Sequence, residues 1–242
     1  MKRALILQHI DHDHPGRFLD YFAADGIVPE FIRVWEGQKI PALSGFDLMF
    51  SAGGPQDVWQ TAENPWIATE IEAIREWVGV RAKPFIGICL GYQLMAEAMG
   101  GKVALAATNE MGPCQITLTR EGRAHPFMRR LPEKQTVMQF HFAEVKEVPP
   151  GGQVLSSSPL CAVQALAIGN HAFGSQFHCE HTPQTYGGWA SQPLMRNYLD
   201  KHRGPDGLAT LMAETFPHMQ DIDAETRTFY ENFAHASGLK RG

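Results

Sequence analysis

The side chain with the clearest capacity for chemistry is the thiol of Cys89, which lies between two glycines in the run 87–91. An apolar run, 84–86, precedes it, and a segment typical of a helix, 94–99, follows it. This order predicts a cysteine on a tight turn between a strand and a helix. Because the N-terminus of a helix carries partial positive charge, it favours the thiolate over the thiol. The flanking glycines favour a nucleophile over a buried, inert cysteine, which does not need them on both sides.

A cysteine nucleophile needs a base, and the base needs a group that orients it. His178 and Glu180 can supply both, because residues two apart in an extended segment project from the same face while Cys179 faces away. The pair follows a strand-like run, 173–177, just as Cys89 follows its own strand. Sites in open α/β sheets form at the carboxyl edge of the strands, so we expect the three side chains to meet there.

A glycine-rich turn, Gly53-Gly54-Pro55, ends another strand-like run at 47–51. Glycine lets the backbone approach a substrate closely. Backbone N–H groups of this turn, together with that of Leu90, could form an oxyanion hole. The alternative is a plain connection between a strand and a loop.

The first hundred residues alternate between strand-like and helix-like segments. Apolar residues at 67, 71, 74 and 78 recur at helical spacing. This alternation predicts a parallel sheet covered by helices on both faces. The predicted strands are 4–8, 28–34, 47–51 and 84–88, and the predicted helices include 15–24 and the segment that begins near residue 65.

The pattern changes after residue 102, where short strand-like runs are separated by Pro and Gly turns. These runs predict a mixed, partly antiparallel extension of the same sheet. The tail then returns to helical patterns. The predicted strands are 116–119, 137–140, 154–157, 162–168 and 173–177, and the predicted helices are 194–199, 208–216 and 224–236.

Length and composition restrict the class of protein. A chain of 242 residues, 44% of them hydrophobic, suffices for one large α/β domain, and we expect a single domain over 1–242 with helices at about 193–242. A net charge of −5 without a block of Lys and Arg argues against nucleic acid as a partner. The apolar runs are too short for a membrane span. Four dispersed cysteines indicate neither a disulfide framework nor structural zinc, so we expect a cytoplasmic protein.

A dense polar cluster follows the first strand, formed by His9, Asp11, His12, Asp13 and His14. One interpretation is metal binding, and the other is a solvated loop at the carboxyl edge of the sheet. Ligands that are adjacent in sequence suit a closed metal site poorly, and thiol chemistry requires no metal. We therefore expect neither a metal nor a cofactor.

Taken together, the motifs resemble the class I glutamine amidotransferases with a Cys-His-Glu triad, most closely the stand-alone members that are similar to the amidotransferase domain of GMP synthase. The resemblance extends over roughly residues 1–200. It implies a flavodoxin-like three-layer α/β sandwich with a mixed, mostly parallel sheet and helices on both faces. The matching segments are Gly53-Gly54-Pro55, Gly87-Ile88-Cys89-Leu90-Gly91-Tyr92-Gln93 and Gln176-Phe177-His178-Cys179-Glu180.

The resemblance also implies a mechanism. The thiolate of Cys89 attacks the side-chain amide carbon of glutamine, or of another γ-glutamyl amide. His178 takes the thiol proton and returns it to the departing ammonia or amine, and Glu180 orients His178. Water then hydrolyses the γ-glutamyl thioester.

Further residues acquire roles from the same resemblance. The N–H groups of Gly54 and Leu90 are expected to hold the oxyanion. Gly53, Gln93 and His141 are expected to contribute to the substrate pocket.

Two segments depart from the family pattern. Cys179 stands where the family commonly has proline, which the chemistry does not require. Relatives often carry Trp-His-Gly-Asp in the stretch that here reads Gln139-Phe140-His141-Phe142-Ala143-Glu144. This stretch borders the glutamine pocket in the family, so Phe142 and Ala143 favour a bulkier or different γ-glutamyl substrate.

Four functions remain compatible with the sequence. The first is a subunit that passes ammonia to a synthetase on a separate chain, and the second is a self-sufficient hydrolase of γ-glutamyl compounds. The altered stretch leans towards the second. The third is a non-catalytic, ligand-binding protein, against which the complete Cys-His-Glu set argues. The fourth is a related cysteine hydrolase or chaperone-like protein, in which the acid residue lies elsewhere.

Overall fold

The computed structural model of the protein describes residues 1–240. Residues 241 and 242, where the predicted segment 193–242 ends, lie outside the described residues, as does the side chain of Leu194. Within the described chain, nine strands form one sheet. They are β1 (Lys2–Gln8), β2 (Ile27–Arg33), β3 (Leu48–Ser51), β4 (Phe85–Ile88), β5 (Lys102–Leu118), β6 (Lys134–Glu147), β7 (Gly152–Ser157), β8 (Ala165–Ile168) and β9 (Ala172–Ser175).

Helices connect the strands and complete the C-terminal part of the described chain. They are α1 (Phe18–Ala24), α2 (Trp66–Ile74), α3 (Leu90–Ala98), α4 (Arg120–Ala124), α5 (Pro183–Ala190), α6 (Pro193–Arg203), α7 (Gly207–Thr215) and α8 (Met219–Ala236). A wider, π-helical segment, Arg75–Val80, continues α2.

The sheet has two halves that differ in strand direction. Its order is β2-β1-β3-β4-β9-β8-β7-β5-β6. The strands from β2 to β9 run parallel, whereas those from β9 to β6 are paired antiparallel. The predicted mixed α/β sheet is therefore confirmed. Because β3, β4 and β9 are parallel neighbours, their carboxyl ends meet at one edge of the sheet, where sites form in such folds.

Apolar layers on both faces hold the helices against the sheet. On one face, Phe18 and Phe22 of α1 pack against the β3 residue Phe50, and Phe229 of α8 packs against Phe173 of β9. Trp77 belongs to the other layer, in which α2 and α3 pack on the sheet. Each such aromatic side chain contributes about 1.5–3 kcal/mol when it leaves water. The result is the three-layer arrangement expected from the sequence.

The strands β5 and β6 are much longer than the runs 116–119 and 137–140 that the sequence predicts. They pair antiparallel from Lys102 and Glu147 at one end to Thr117 and Lys134 at the other, with a shift in register between Leu105 and Glu110. Cross-strand pairing overrides weak local propensity in this ribbon, which includes a glycine and a proline. Its extension towards residue 102 brings the segment 139–144 to the mouth of the site.

The C-terminal helices form a third apolar cluster against β6. The predicted helices 194–199 and 224–236 correspond to the longer α6 and α8, and the predicted helix 208–216 corresponds to α7 with both ends displaced by one residue. The sequence does not predict α5. Trp189 of α5 and Leu199 of α6 pack with Met138 of β6. This packing places α5 and α6 beside the carboxyl edge of the parallel strands.

Candidate active site

Cys89 occupies a strained turn between β4 and α3. Its φ of 50° and ψ of −105° lie in a region that residues other than glycine rarely adopt. The flanking glycines are required by close packing: a Cβ on Gly91 would lie 2.1 Å from the carbonyl oxygen of Ser51, and one on Gly87 would lie 2.7 Å from that of Gly91. The Cys89 N–H donates to the carbonyl of Ser175 at 2.8 Å, which ties the turn to β9.

His178 and Glu180 lie next to this turn and are both 4% exposed. The Nδ1 atom of His178 is 2.6 Å from Oε1 of Glu180. Gly53 packs between His178 and Cys89. A Cβ on Gly53 would lie 3.1 Å from Cε1 of His178 and 3.8 Å from Cβ of Cys89. The structure thus brings together the three residues that the sequence predicts as a set.

The electrostatics of the pair favour an imidazolium beside a carboxylate. Burial lowers the pKa of His178, but the charge of Glu180 and hydrogen bonds with Cys89 and Glu180 outweigh this effect and raise it well above its usual value. Burial raises the pKa of Glu180, but the charge of His178 and the hydrogen bond with His178 lower it on balance. At neutral pH, His178 can therefore stabilise a thiolate on Cys89.

His181, which no sequence motif marks, completes the buried group. Its ring stacks on that of His178 with the centroids 4.4 Å apart, and its Nε2 lies 3.4 Å from Oε1 of Glu180. Burial lowers the pKa of His181 to about 3. His181 is therefore neutral at physiological pH and adds no second positive charge to the site.

This buried neutral histidine predicts a specific loss of stability in acid. Unfolded His181 binds a proton near pH 6.5, whereas the folded residue binds one only near pH 3. Stability is therefore lost as pH falls below 6.5. When the pH is lowered from 7.5 to 5, the free energy of unfolding should fall by about 2 kcal/mol less in His181→Gln than in the wild type. Urea unfolding at both pH values measures the difference.

The matched control for this prediction is His235→Gln, which changes an exposed histidine near the end of α8. It should show the wild-type dependence on pH. The chosen pH range lies above the usual pKa of Glu180, so titration of that carboxyl does not confuse the comparison. Equal losses in His181→Gln and wild type would contradict the assignment of a neutral, buried His181.

Two backbone N–H groups are candidate oxyanion donors: that of Leu90, the residue after Cys89, and that of Gly54, which lines the same cavity as Cys89. Within residues 1–240, neither donates a hydrogen bond to another group of the protein. The two residues are in close contact, because a Cβ on Gly54 would lie 2.9 Å from Cδ2 of Leu90 and 2.7 Å from Cβ of His9. Both donors are therefore free to bind an oxygen atom on a substrate.

A cavity of about 520 Å³ opens beside Cys89 and His178. Five tryptophan, phenylalanine and tyrosine side chains line it. Rings of Phe140 and Trp189 lie 5.4 Å apart, and those of Phe142 and Tyr198 lie 5.8 Å apart. The aromatic lining residues are Trp35, Phe140, Phe142, Trp189 and Tyr198.

Apart from its histidines, the charged side chains of the same cavity are acidic. Asp11, Asp13 and Asp57 line it together with His12, and no Lys or Arg is among the described residues that line it. Burial raises the pKa of Asp13, although the positive charge of His178 opposes this effect. The cavity therefore suits an apolar group with a polar or cationic end better than an anionic group.

The predicted pocket residues are placed in different ways. Gly53, Gln93 and His141 all lie at the site, but two of them are already engaged within the protein. The Nε2 of Gln93 donates to the carbonyl of Ala143 and to Oε1 of Gln176, both at 3.1 Å. His141 contacts Glu110 at 2.9 Å through Nε2 and the carbonyl of Ala143 at 3.0 Å through Nδ1. These contacts hold the segment that carries Phe142 in place. Contacts of Gly53, Gln93 and His141 with a substrate stay a prediction.

Among residues 1–240, two groups of side chains have atoms close enough to share a metal ion, namely His178, Glu180 and His181, and Glu110, His141 and Cys161. In both groups a histidine is already paired with a carboxylate, at 2.6 Å in the first and 2.9 Å in the second. The cluster His9–His14 contributes to neither group.

The interpretation of His9–His14 as a solvated loop is wrong for its first member. His9 is fully buried and its Nε2 lies 2.9 Å from Oε2 of Glu70, which is also fully buried. Glu70 lies on the inner face of α2, between the buried residues Ile67 and Ile74. A single charged residue on the apolar face of a predicted helix is the sequence signal that indicates such a buried carboxylate.

The other cysteines have no access to the cavity chemistry. Cys179 lines a separate small cavity with Phe177 and Thr226, as its alternation with His178 and Glu180 predicts. Burial raises the pKa of the Cys179 thiol above its usual value. Burial also raises the pKa of Cys114 to about 11 and the pKa of Cys161 to about 12. These thiols are therefore protonated at neutral pH and unreactive.

The family profile of the class-I glutamine amidotransferases matches residues 23–192. The glutamine amidotransferase-like protein YfeJ of Salmonella typhimurium is 31% identical over 77% of this chain and 79% of its own length. One subunit of the GMP synthase (glutamine-hydrolyzing) of Thermococcus kodakarensis is 34% identical over 67% and 79%. The gamma-glutamyl peptidase 3 of Arabidopsis thaliana is 28% identical over 69% and 68%.

Solved structures agree on the fold. The crystal structure of a glutamine amidotransferase from Thermotoga maritima superposes with a TM-score of 0.86, covering 97% of this chain and 98% of the other at 22% identity. The chain belongs to the class-I glutamine amidotransferase family. It is accordingly an enzyme of the type that hydrolyses glutamine amides. Within residues 1–240, no helix combines the length and apolar character needed to cross a bilayer.

Proposed function

We propose that this protein hydrolyses γ-glutamyl amides, with Cys89 as nucleophile, His178 as acid–base group and Glu180 as the residue that orients His178. The observation that carries the proposal is the buried His178–Glu180 contact of 2.6 Å beside a cysteine on a strained turn. Strained, positive-φ turns persist where a side chain must be presented to a substrate. We further propose that residues 1–242 act as one domain.

The reaction has two stages. The Cys89 sulfur forms a bond to the amide carbon, and the electron pair of the carbonyl moves to its oxygen. As this oxyanion collapses, the C–N bond breaks and His178 gives its proton to the leaving nitrogen, which departs as ammonia or amine. Water then attacks the γ-glutamyl thioester, loses a proton to His178, and releases glutamate and the thiol of Cys89.

The oxyanion is held by the N–H groups of Gly54 and Leu90, which are free to donate within the described chain. Such donors stabilise charge that exists only in the transition state and intermediate, so they raise kcat more than they tighten binding. Glycine is required at position 54 because a Cβ there would lie 2.7 Å from Cβ of His9 and 2.9 Å from Cδ2 of Leu90.

The cavity supports a larger substrate than free glutamine. A volume of about 520 Å³ lies within the range filled by drug-sized ligands. Phe142 stands on the wall beside Tyr198 and His202, with ring centroids at 5.8 and 5.4 Å. We therefore favour a self-sufficient hydrolase of γ-glutamyl amides with a bulky, uncharged or cationic amine over a subunit that supplies ammonia to a separate synthetase.

A substrate panel tests this preference. We expect kcat/KM for a γ-glutamyl aryl amide or a γ-glutamyl arylalkylamine to exceed that for glutamine by about tenfold or more. Phe142→Ala should lower kcat/KM for the aromatic substrates by about 10- to 100-fold, because roughly 1.5–3 kcal/mol of ring contact is lost. It should change kcat/KM for glutamine by less than about threefold. Release of glutamate measures all of these rates on one scale.

The matched control is Phe31→Ala, which removes a partly exposed phenylalanine from β2. It should leave the rates on all substrates unchanged. Glutamine as the best substrate, with a rate that rises only when a synthetase chain is added, would favour the subunit function instead. No turnover of any γ-glutamyl amide would contradict the proposed function as a whole.

A further inference from the structure

A buried histidine and a buried glutamate lie directly beneath the turn Gly53-Gly54-Pro55, the oxyanion loop, which carries the Gly54 donor of the proposed oxyanion hole. His9, at the end of β1, and Glu70, on α2, are both 0% exposed. Nε2 of His9 lies 2.9 and 3.1 Å from the two oxygens of Glu70. Nδ1 of His9 lies 3.1 Å from the carbonyl oxygen of Gly53. The mechanism proposed above uses neither side chain.

The partners of His9 determine its protonation. A carbonyl oxygen and a carboxylate only accept hydrogen bonds, so both ring nitrogens of His9 must donate. An imidazole that donates from both nitrogens is an imidazolium, and its charge is balanced by the carboxylate of Glu70. Burial lowers the pKa of His9, but Glu70 and the hydrogen bond to Gly53 outweigh burial and raise it. The charged groups that face His9 are Glu70 from α2 and Asp13 from the loop after β1.

Other contacts make this pair rigid. The ring of His9 stacks on Trp66 with centroids 4.9 Å apart and planes at 11°. Oε1 of Glu70 also accepts a hydrogen bond of 2.6 Å from Ser51, the last residue of β3. The pair thus connects β1, β3 and α2 at the point where the oxyanion loop leaves the sheet.

The orientation of one peptide unit follows from this arrangement. In a trans peptide unit the C=O and N–H groups point in opposite directions. The unit between Gly53 and Gly54 directs its carbonyl oxygen at His9, so the N–H of Gly54 points away from His9. Glycine on both sides leaves this unit free to rotate in the absence of a restraint. His9 supplies the restraint through its hydrogen bond of 3.1 Å.

We propose that the His9–Glu70 pair is the positioning device of the oxyanion hole, which holds the Gly53–Gly54 peptide so that the Gly54 N–H faces the reacting carbonyl. This inference rests on the proposed function, since it assigns a task within the same reaction. His9 touches no substrate, so it is a positioning residue. Its loss should lower kcat with little change in KM, because the donor it holds acts on the transition state.

Two substitutions at the same position separate the two hydrogen bonds of His9. The amide nitrogen of an asparagine can replace Nδ1 and keep the bond to Gly53, whereas that of a glutamine reaches the place of Nε2 and keeps the bond to Glu70. We expect His9→Gln to lower kcat about 10²-fold, the cost of one oxyanion donor, with KM changed less than about threefold. His9→Asn should retain kcat within about fivefold of wild type.

A third variant tests the role of the charge. In Glu70→Gln the new amide can donate to Nε2 of His9, which lets a neutral imidazole still donate from Nδ1 to Gly53. Its kcat should therefore stay within about fivefold of wild type at neutral pH, although the ion pair is gone. Alkylation of Cys89 by iodoacetamide, which needs no oxyanion hole, should proceed at a similar rate in the wild type and all three variants, which shows that the thiol site is intact.

The results distinguish this inference from the proposed function. A large loss of kcat in His9→Gln alone, with normal alkylation, supports the positioning role. Equal losses of kcat in His9→Gln and His9→Asn would overturn it. A loss of kcat accompanied by slower alkylation and lower thermal stability would also overturn it, because the His9–Glu70 pair would then be only structural. If His9→Gln does not fold, Glu70→Gln decides: a loss of about 10²-fold there overturns the inference. A wild-type protein inactive on every γ-glutamyl amide would instead overturn the proposed function, and this inference with it.

Discussion

Replacing Cys89 by alanine is expected to lower kcat/KM for γ-glutamyl amides by at least about 10⁴-fold, because no other group can form the thioester. Binding of the substrate should survive, since Cys89 contributes a single small side chain to a cavity of about 520 Å³. The variant should also fold, because alanine has less volume than cysteine and the turn is held by the Cys89 N–H bond to Ser175. Initial rates of glutamate release, with thermal unfolding as the check on folding, measure the effect.

The matched control is Cys114→Ala, which removes a half-buried thiol from β5. It should keep at least about half of the wild-type rate. If instead Cys89→Ala remained active while another cysteine variant lost its activity, the assignment of the nucleophile would be wrong.

The second large effect is expected at His178. His178→Asn keeps a nitrogen near the position of Nδ1, where it can still contact Glu180, and removes the rest of the ring that faces Cys89. We expect kcat/KM to fall by about 10³-fold or more, because both proton transfers lose their group. Alkylation of Cys89 at pH 6 should slow about tenfold or more, since the imidazolium that stabilises the thiolate is missing.

The raised pKa of His178 fixes the direction of the pH effect. The imidazolium is present at low and neutral pH and is lost as pH rises through the raised value. Glu180→Gln removes the carboxylate charge that raises this pKa. The fall of kcat/KM with rising pH, which follows loss of the proton that His178 gives to the leaving nitrogen, should therefore begin at a lower pH than in the wild type. An unchanged profile in Glu180→Gln would mean that Glu180 does not control the protonation of His178.

The sequence was sufficient where the signal is local. Cys89 with its two glycines, and His178 with Glu180 two residues later, are short motifs whose geometry follows from one turn and one extended segment. The parallel half of the sheet was predictable for the same reason, because each strand and helix carries its own periodicity. The structure added the reason for the glycines, which is the close approach of Gly91 to Ser51.

The sequence was insufficient where the arrangement depends on packing between distant segments. His9 and Glu70 are 61 residues apart, and only the rotation of α2 against the sheet turns Glu70 inward. The aromatic lining of the cavity combines Trp35, two residues of β6 and side chains from α5 and α6. Only the β6 stretch stands out in the sequence, because the other side chains belong to no motif. The long ribbon of β5 and β6 was underestimated because pairing, which local propensity does not report, extends it.

The most direct test of the central claim is to trap the covalent intermediate. The protein is mixed with an activated γ-glutamyl ester or its best γ-glutamyl amide, quenched in acid within one turnover, and analysed by peptide mass spectrometry. We predict a γ-glutamyl adduct on the peptide that contains Cys89, absent from Cys89→Ala and removed by hydroxylamine, which cleaves thioesters. An adduct on another residue, or steady hydrolysis with no adduct on Cys89 at any time, would contradict the account.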